Sequence, residues 1–179
     1  MREVDPRSKF SRRFVLKAGA ATLPAVAAAG AVSIDQAWAE GGALKPDTMK
    51  TLVKMARDIY PHDFLGDSVY ITAVQPWNGK AGSDPKVKEM LENGVLRLNL
   101  AAQDKHKSAY NDIGWEADRV ALLRDIEDSD FFQKVRSDLV VSVYNQHEIW
   151  PKFGYEGASA DKGGYIHRGF NDIDWLPKA

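Results

Sequence analysis

The chain contains no cysteine. Disulfides, thiol catalysis, iron–sulfur clusters and haem attachment through Cys-x-x-Cys-His are thereby excluded from it. With no disulfide available, packing alone must hold the domain together. Nucleotide and acyl-transfer signatures are also missing: there is no Gly-x-Gly-x-x-Gly, no Gly-x-x-x-x-Gly-Lys-Ser/Thr and no Gly-x-Ser-x-Gly. The 4 histidines, His62, His106, His147 and His167, are far apart, and none lies four residues from another as a helical metal pair would. His62 and His147 fall near helix ends, where capping or solvated roles fit, and no metal site is expected.

What is present begins with an address. Residues 1–17 carry Arg2, Arg7, Lys9, Arg12, Arg13 and Lys17, an uncharged alanine-rich run follows from Ala18 to Ile34, and Ala37-Trp38-Ala39 closes the segment before Glu40. A basic start, an apolar centre and a small-x-small end make a secretory signal. The competing reading, a resident membrane helix, needs roughly 20 predominantly apolar residues. This run is shorter and is broken by Gly19, Pro24 and Gly30. Ser11-Arg12-Arg13-Phe14-Val15-Leu16-Lys17 resembles the twin-arginine motif, with Val15 where phenylalanine is usual. The signal core is Ser11, Arg12, Arg13, Leu16 and Lys17, and cleavage is expected between Ala39 and Glu40, with Ala37 as the other small residue. The receptor of such an address is the twin-arginine translocase, which carries folded proteins, so a periplasmic location is expected.

Removing residues 1–39 leaves 140 of the 179 residues, one domain's worth. Of the chain's 24 basic and 25 acidic residues, six basic and three acidic fall in the leader. That leaves 18 against 22 and a net charge of −4. A mildly acidic domain without a basic stripe is a poor match for nucleic acid, and no nucleic-acid partner is expected.

The mature chain is patterned for helices. Asp47 reads as an N-cap, Met49, Leu52, Val53, Ala56 and Ile59 follow at helical spacing, and Pro61 stops the run. Residues 61–84 are punctuated by Gly66, Pro76, Gly79 and Gly82; Val69, Ile71 and Ala73 alternate like a strand, but Val69, Tyr70, Ala73 and Val74 fit a short helix better in this context. Asp84-Pro85 starts a long helix with the stripe Val87, Met90, Leu91, Val95, Leu98 and Ala102, in which Gly94 is a weak point. A short helix follows over Val120, Leu122, Leu123 and Ile126. Ser129 or Asp128 caps the last long one, with stripe Phe132, Val135, Leu139 and Val143. The fold class is all-α: a small bundle of about four to five helices with short connections.

From Tyr144 to Trp175 the pattern changes. Seven aromatics (Tyr144, Trp150, Phe153, Tyr155, Tyr165, Phe170 and Trp175) alternate with five glycines and no period survives. Disordered tails are poor in aromatics, so this segment either packs on its own helices or presents its rings to a partner. The candidate partner-binding residues are Trp150, Phe153, Tyr155, Tyr165, Arg168, Phe170 and Trp175. The acid pairs Asp128/Asp130 and Asp172/Asp174 have bland roles, a helix start for the first and pairing with Arg168 for the second.

These residues together resemble a known family, the small subunit 3 of gluconate 2-dehydrogenase-type membrane dehydrogenases. The likeness runs through the twin-arginine leader, Asp58-Ile59-Tyr60-Pro61, Leu123-Arg124-Asp125-Ile126-Glu127, Asp130-Phe131-Phe132 and the glycine/aromatic close. The chain departs from the family in Phe153-Gly154-Tyr155-Glu156-Gly157, and Tyr165 of Gly163-Gly164-Tyr165 stands where the family has tryptophan. The resemblance implies a non-catalytic accessory subunit with no cofactor of its own. Its partners would be a glucose-methanol-choline-type flavoprotein holding FAD and a cytochrome c subunit holding haem. The small subunit assists folding, assembly and export of the flavoprotein. Two other readings stay open: an enzyme using Asp172, Asp174, His167 or Arg168, and a stand-alone periplasmic binding module.

Overall fold

A computed structural model describes residues 42–170. The leader motif, the cleavage residues and Asp172, Asp174 and Trp175 lie outside the described residues. Among those described the fold is all-α, as the periodicity indicates: five α-helices, three short 3-10 segments and no strand. The helices are α1 (Pro46–Ile59), α2 (Asp67–Ser83), α3 (Pro85–His106), α4 (Glu116–Arg124) and α5 (Asp130–Tyr144), and the 3-10 segments are Tyr110–Asp112, His147–Phe153 and Ser159–Lys162. None of these helices is long and apolar enough to cross a membrane.

Helix α1 is central and packs against the other four. That position explains its breadth of burial, from Thr48, Met49, Thr51 and Leu52 to Met55, Ala56 and Asp58. Its start differs from the expected one. Lys45 is the N-cap, Pro46 takes the first helical position and Asp47 lies inside the first turn. The capping carboxylate comes from α3: Glu92 accepts from the Lys45 N–H at 2.8 Å and from the Thr48 hydroxyl at 2.8 Å. A long-range cap of this kind is invisible to local pattern. Pro61 follows the end of α1, where its ring cannot continue the helix.

The segment after α1 is more regular than its punctuation suggests. Helix α2 runs unbroken through Pro76 and Gly79 and buries Val69, Tyr70, Ala73, Val74, Trp77 and Ala81. Pro76 removes the bond to the Thr72 carbonyl. Both residues are exposed, on the side where water can take that carbonyl. Apolar packing of Trp77 and Ala81 beyond the proline then carries the helix onward.

Helix α3 begins as the sequence indicates, with the Asp84 carboxylate accepting from the Lys86 N–H at 2.9 Å. Gly94, however, is a contact and not a weak point. A Cβ there would lie 2.2 Å from the Phe131 ring, so the missing side chain is what lets the ring lie on the α3 backbone. This also corrects the α5 stripe, which is Phe131, Val135, Leu139 and Val143, while Phe132 is only half-buried. Ser129 caps α5, accepting from the Phe132 N–H at 3.2 Å.

Candidate functional site

Two features stand out, one on the surface and one inside. The surface begins at the end of α5. On a helix, Val140 and Val141 are neighbours of Tyr144 by i,i+4 and i,i+3 spacing. Both valines are exposed and Tyr144 is half-buried. The Tyr144 ring meets Phe153 edge-on at 5.6 Å, and Phe153 meets Phe64 at 5.1 Å. Phe64 and Phe153 are themselves 52% and 41% exposed. Exposed apolar side chains thus come from the α1–α2 connection, the last two turns of α5 and the 147–153 segment, with the rings of Phe64, Phe153 and Tyr144 in contact.

His62 sits within this face. Its Nε2 lies 2.7 Å from the Tyr144 hydroxyl, and its ring contacts Phe64, Tyr144 and Phe153 at 5.5, 5.7 and 5.1 Å. With the phenol as donor, the imidazole is the tautomer protonated on Nδ1. Burial raises the Tyr144 phenol above its usual range, and the neighbouring Tyr60 and Tyr70 add to this, so it stays protonated at neutral pH. The solvated or capping role expected for His62 is therefore corrected: it clasps three elements. His147 is exposed but rests against Trp150, ring centroids 4.0 Å apart.

The candidate partner residues divide along the chain. Trp150 is anchored, half-buried with its indole N–H donating to the Tyr144 carbonyl at 2.8 Å, and it meets Tyr155 edge-on at 5.0 Å. Gly154 and Gly163 close the two C-terminal 3-10 segments in the left-handed region, with φ of 71° and 80°. Arg168 pairs with Glu156, which also holds Lys162 at 3.0 Å, so the second turn is tied back on the first. Hydrogen bonds from Lys162, together with the two positive charges, hold the Glu156 carboxyl below its usual range. Tyr165 and Phe170 project outward, as does His167, and the structure does not gather them with Phe153. The proximal half of the segment thus packs on the bundle and the distal half displays its rings.

The interior feature was not anticipated. Asp58 of α1 and Arg119 of α4 form a two-pronged ion pair: Nε to Oδ2 and Nη2 to Oδ1, each 2.8 Å. The side chains are 1% and 6% exposed. Tyr110 donates to Asp58 Oδ2 at 2.7 Å, and Arg119 Nη1 donates to the carbonyls of Ile113 at 2.7 Å and Gly114 at 3.2 Å. Burial, then the Asp58 charge and hydrogen bond, drive the Tyr110 phenol far above its ordinary range. The Asp58 hydrogen bonds outweigh burial and keep Arg119 charged. The signal for this pair was present in the spacing. Asp58 continues the buried Thr51 and Met55 side of α1, and Arg119, Leu122 and Leu123 share one face of α4.

A third polar cluster joins α2 to α5. Asp138 accepts from the Trp77 indole at 3.1 Å, from Lys80 at 3.3 Å and from Lys134 at 2.6 Å. Burial alone would raise its carboxyl, but these donors prevail and hold it below the usual range. A groove of about 470 Å³ between α3 and the start of α5 has Phe131, Met90 and Ile126 in its lining and Lys86, Glu89 and Arg97 along α3.

Comparison of the chain with protein-family models, with curated proteins and with solved structures gives no match.

Proposed function

We propose that this chain is the accessory small subunit of a periplasmic FAD-dependent dehydrogenase complex. It would bind a glucose-methanol-choline-type flavoprotein, assist its folding and assembly, and share its twin-arginine address with it. A cytochrome c subunit would complete the complex. FAD and haem then belong to the partners, and turnover belongs to the flavoprotein.

The observation that supports this reading best is the exposed face of Phe64, Val140, Val141, Tyr144 and Phe153. Apolar patches of this kind on a folded domain mark places where something else binds. The face is also preorganised, because the His62–Tyr144 hydrogen bond and the Trp150–Tyr144 bond fix its parts before any partner arrives. Less ordering entropy is then lost on association. The outward-facing Tyr165 and Phe170 extend the same chemistry and suit aromatic anchors at an interface.

The test is a purification of the tagged full chain from periplasm. The expected result is a co-purifying yellow protein with a flavin spectrum, accompanied by a haem protein, and loss of both when Phe64 and Phe153 are changed to serine. An active flavoprotein that reaches the periplasm at normal levels in cells lacking this chain would refute the reading.

A further inference from the structure

Among the described residues the only exposed leucines are Leu96 and Leu100, at 56% and 60%. They lie one turn apart on α3, four residues being a spacing that puts two side chains on one helix face. Helix α3 spends its other side on the bundle: α1, α2, α4 and α5 all pack against it, and Leu91, Val95, Leu98 and Ala102 are its buried stripe. The outer face continues beyond the two leucines. Glu89, Asn93, Leu96, Leu100, Gln103 and Lys107 are all exposed and are spaced alternately four and three residues apart. That is the spacing of a seam along which one helix meets a second side by side. At 22 residues α3 is about 33 Å long, enough for such a seam.

The order of residues along this seam selects its occupant. Counting outwards from Leu98, the seam residues two positions away are Leu96 and Leu100, both apolar. Those five away are Asn93 and Gln103, both carboxamides, and those nine away are Glu89 and Lys107, of opposite charge. Such an order is complementary to itself when read backwards. Turned end for end, a second α3 sets leucine on leucine, amide on amide and ammonium on carboxylate at both ends. A twofold axis demands this arrangement, since residue i meets j and j meets i. An unrelated protein has no reason to match it, and a lipid surface would select a row of cations beside the leucines. Lys107 caps the helix, and one N–H of its ammonium donates to the Asp104 carbonyl at 2.8 Å, which leaves two for a carboxylate.

We propose that two copies of this chain pair through the outer face of α3, antiparallel about a twofold axis beside Leu98. Leu96 of each copy meets Leu100 of the other, Asn93 meets Gln103, and Glu89 meets Lys107. The four leucines form the apolar centre and the polar residues on either side fix the register. An interface with so small a centre forms reversibly and depends on concentration. It uses none of the residues of the Phe64–Phe153 surface and holds whether or not a flavoprotein binds there.

The experiment is sedimentation equilibrium of the purified full chain, run from low to high micromolar concentration. The expected result is a reversible rise from monomer to dimer mass. Leu96→Asp and Leu100→Asp should each weaken pairing by more than about tenfold, since each removes apolar burial from both halves of the seam. Both sites are exposed, and an unchanged helical circular dichroism spectrum checks that the variants fold. Val141→Asp, a like change at an exposed site on α5, should leave pairing unchanged. Charge reversal tests the register. Glu89→Lys sets lysine against Lys107, Lys107→Glu sets glutamate against Glu89, and each should weaken self-pairing several-fold. A mixture of these two variants regains an attractive pair at both ends, so it should associate as tightly as the wild-type chain. A monomer at every concentration, pairing that survives Leu96→Asp, or a mixture no tighter than its components would overturn the proposal.

Discussion

Tyr110 and Tyr165 are the same side chain in opposite circumstances. Tyr110 has no exposed surface, gives its hydroxyl to Asp58 and belongs to the same buried core as Leu52, Met55 and Leu122. Tyr165 is 63% exposed and follows two glycines whose N–H groups bond back to Ala160 and Ser159 of the last 3-10 segment. The first belongs to a bundle in which every helix has a buried stripe; the second belongs to a stretch with rings and no period. Aromatic content therefore says that a segment touches something, and only periodicity says that it touches its own fold. If that contrast is sound, changes in the bundle should act on stability and changes in the distal segment on association.

The largest effect is expected at the buried ion pair. Asp58→Ala or Arg119→Ala leaves one charge uncompensated in the interior and should cost about 3–5 kcal/mol. Urea unfolding measures this directly. The double variant Asp58→Leu, Arg119→Met removes both charges together and should recover part of the loss, because nothing charged remains to be solvated while the Tyr110 hydroxyl and the Ile113 carbonyl lose their partners. A cost below about 1 kcal/mol for the single changes, typical of exposed pairs, would mean that the interior is wetter than the contrast requires.

Next comes Gly94. A Cβ at 2.2 Å from the Phe131 ring cannot be accommodated without moving the ring off the α3 backbone. Overpacking of this kind costs about 1–3 kcal/mol, against the usual gain of up to about 1 kcal/mol for glycine to alanine within a helix. Gly94→Ala should therefore destabilise, and Phe131→Leu should reduce that penalty when combined with it. Additive losses in a double-mutant cycle would show that the two positions are not in contact.

Much of the bundle was legible because helices advertise themselves. The Asp84-Pro85 start, the Ser129 cap, the stop at Pro61 and the Leu91–Leu98–Ala102 stripe all stand where the periodicity places them. What failed depended on contacts distant in sequence. The cap of α1 comes from Glu92, 47 residues beyond Lys45. The continuation of α2 through Pro76 depends on Trp77 and its bond to Asp138. Phe131 is buried ahead of Phe132, which packs half-buried against the core, because Gly94, on another helix, leaves room for the Phe131 ring. The aromatic surface was half legible. Trp150, Phe153 and Tyr155 were marked by composition, while Phe64, Val140 and Val141 join them only through folding. The leader motif remains a reading of sequence, since it lies outside the described residues.

A smaller effect is expected at Asp138, which bridges α2 and α5. Its carboxyl titrates below the ordinary value of about 3.9 in the fold. A group whose folded value is depressed contributes stability above its unfolded value and loses it as pH falls through the folded one. The stability difference between the wild-type chain and Asp138→Asn should thus be constant at neutral pH and shrink progressively below about pH 4. A difference near zero at every pH would assign the stabilisation to the bonds from Trp77 and Lys80 that the amide can also accept, not to the charge.

The smallest stability effect is the most telling for function. Tyr165→Ser and Phe170→Ser change side chains that lie outward on the distal segment, so each should shift unfolding by no more than about 0.5 kcal/mol. If the proposed partnership holds, the same variants should reduce recovery of a flavoprotein in the periplasmic purification, since exposed aromatic anchors contribute to binding what they do not contribute to folding. Phe153→Ser should do both, because its ring closes the His62–Tyr144 clasp as well as the exposed face. If Tyr165→Ser instead lowers stability by more than about 1 kcal/mol, the distal segment packs on the bundle. Tyr165 would then resemble Tyr110 after all, and the division between folding and docking residues would move towards the C-terminus.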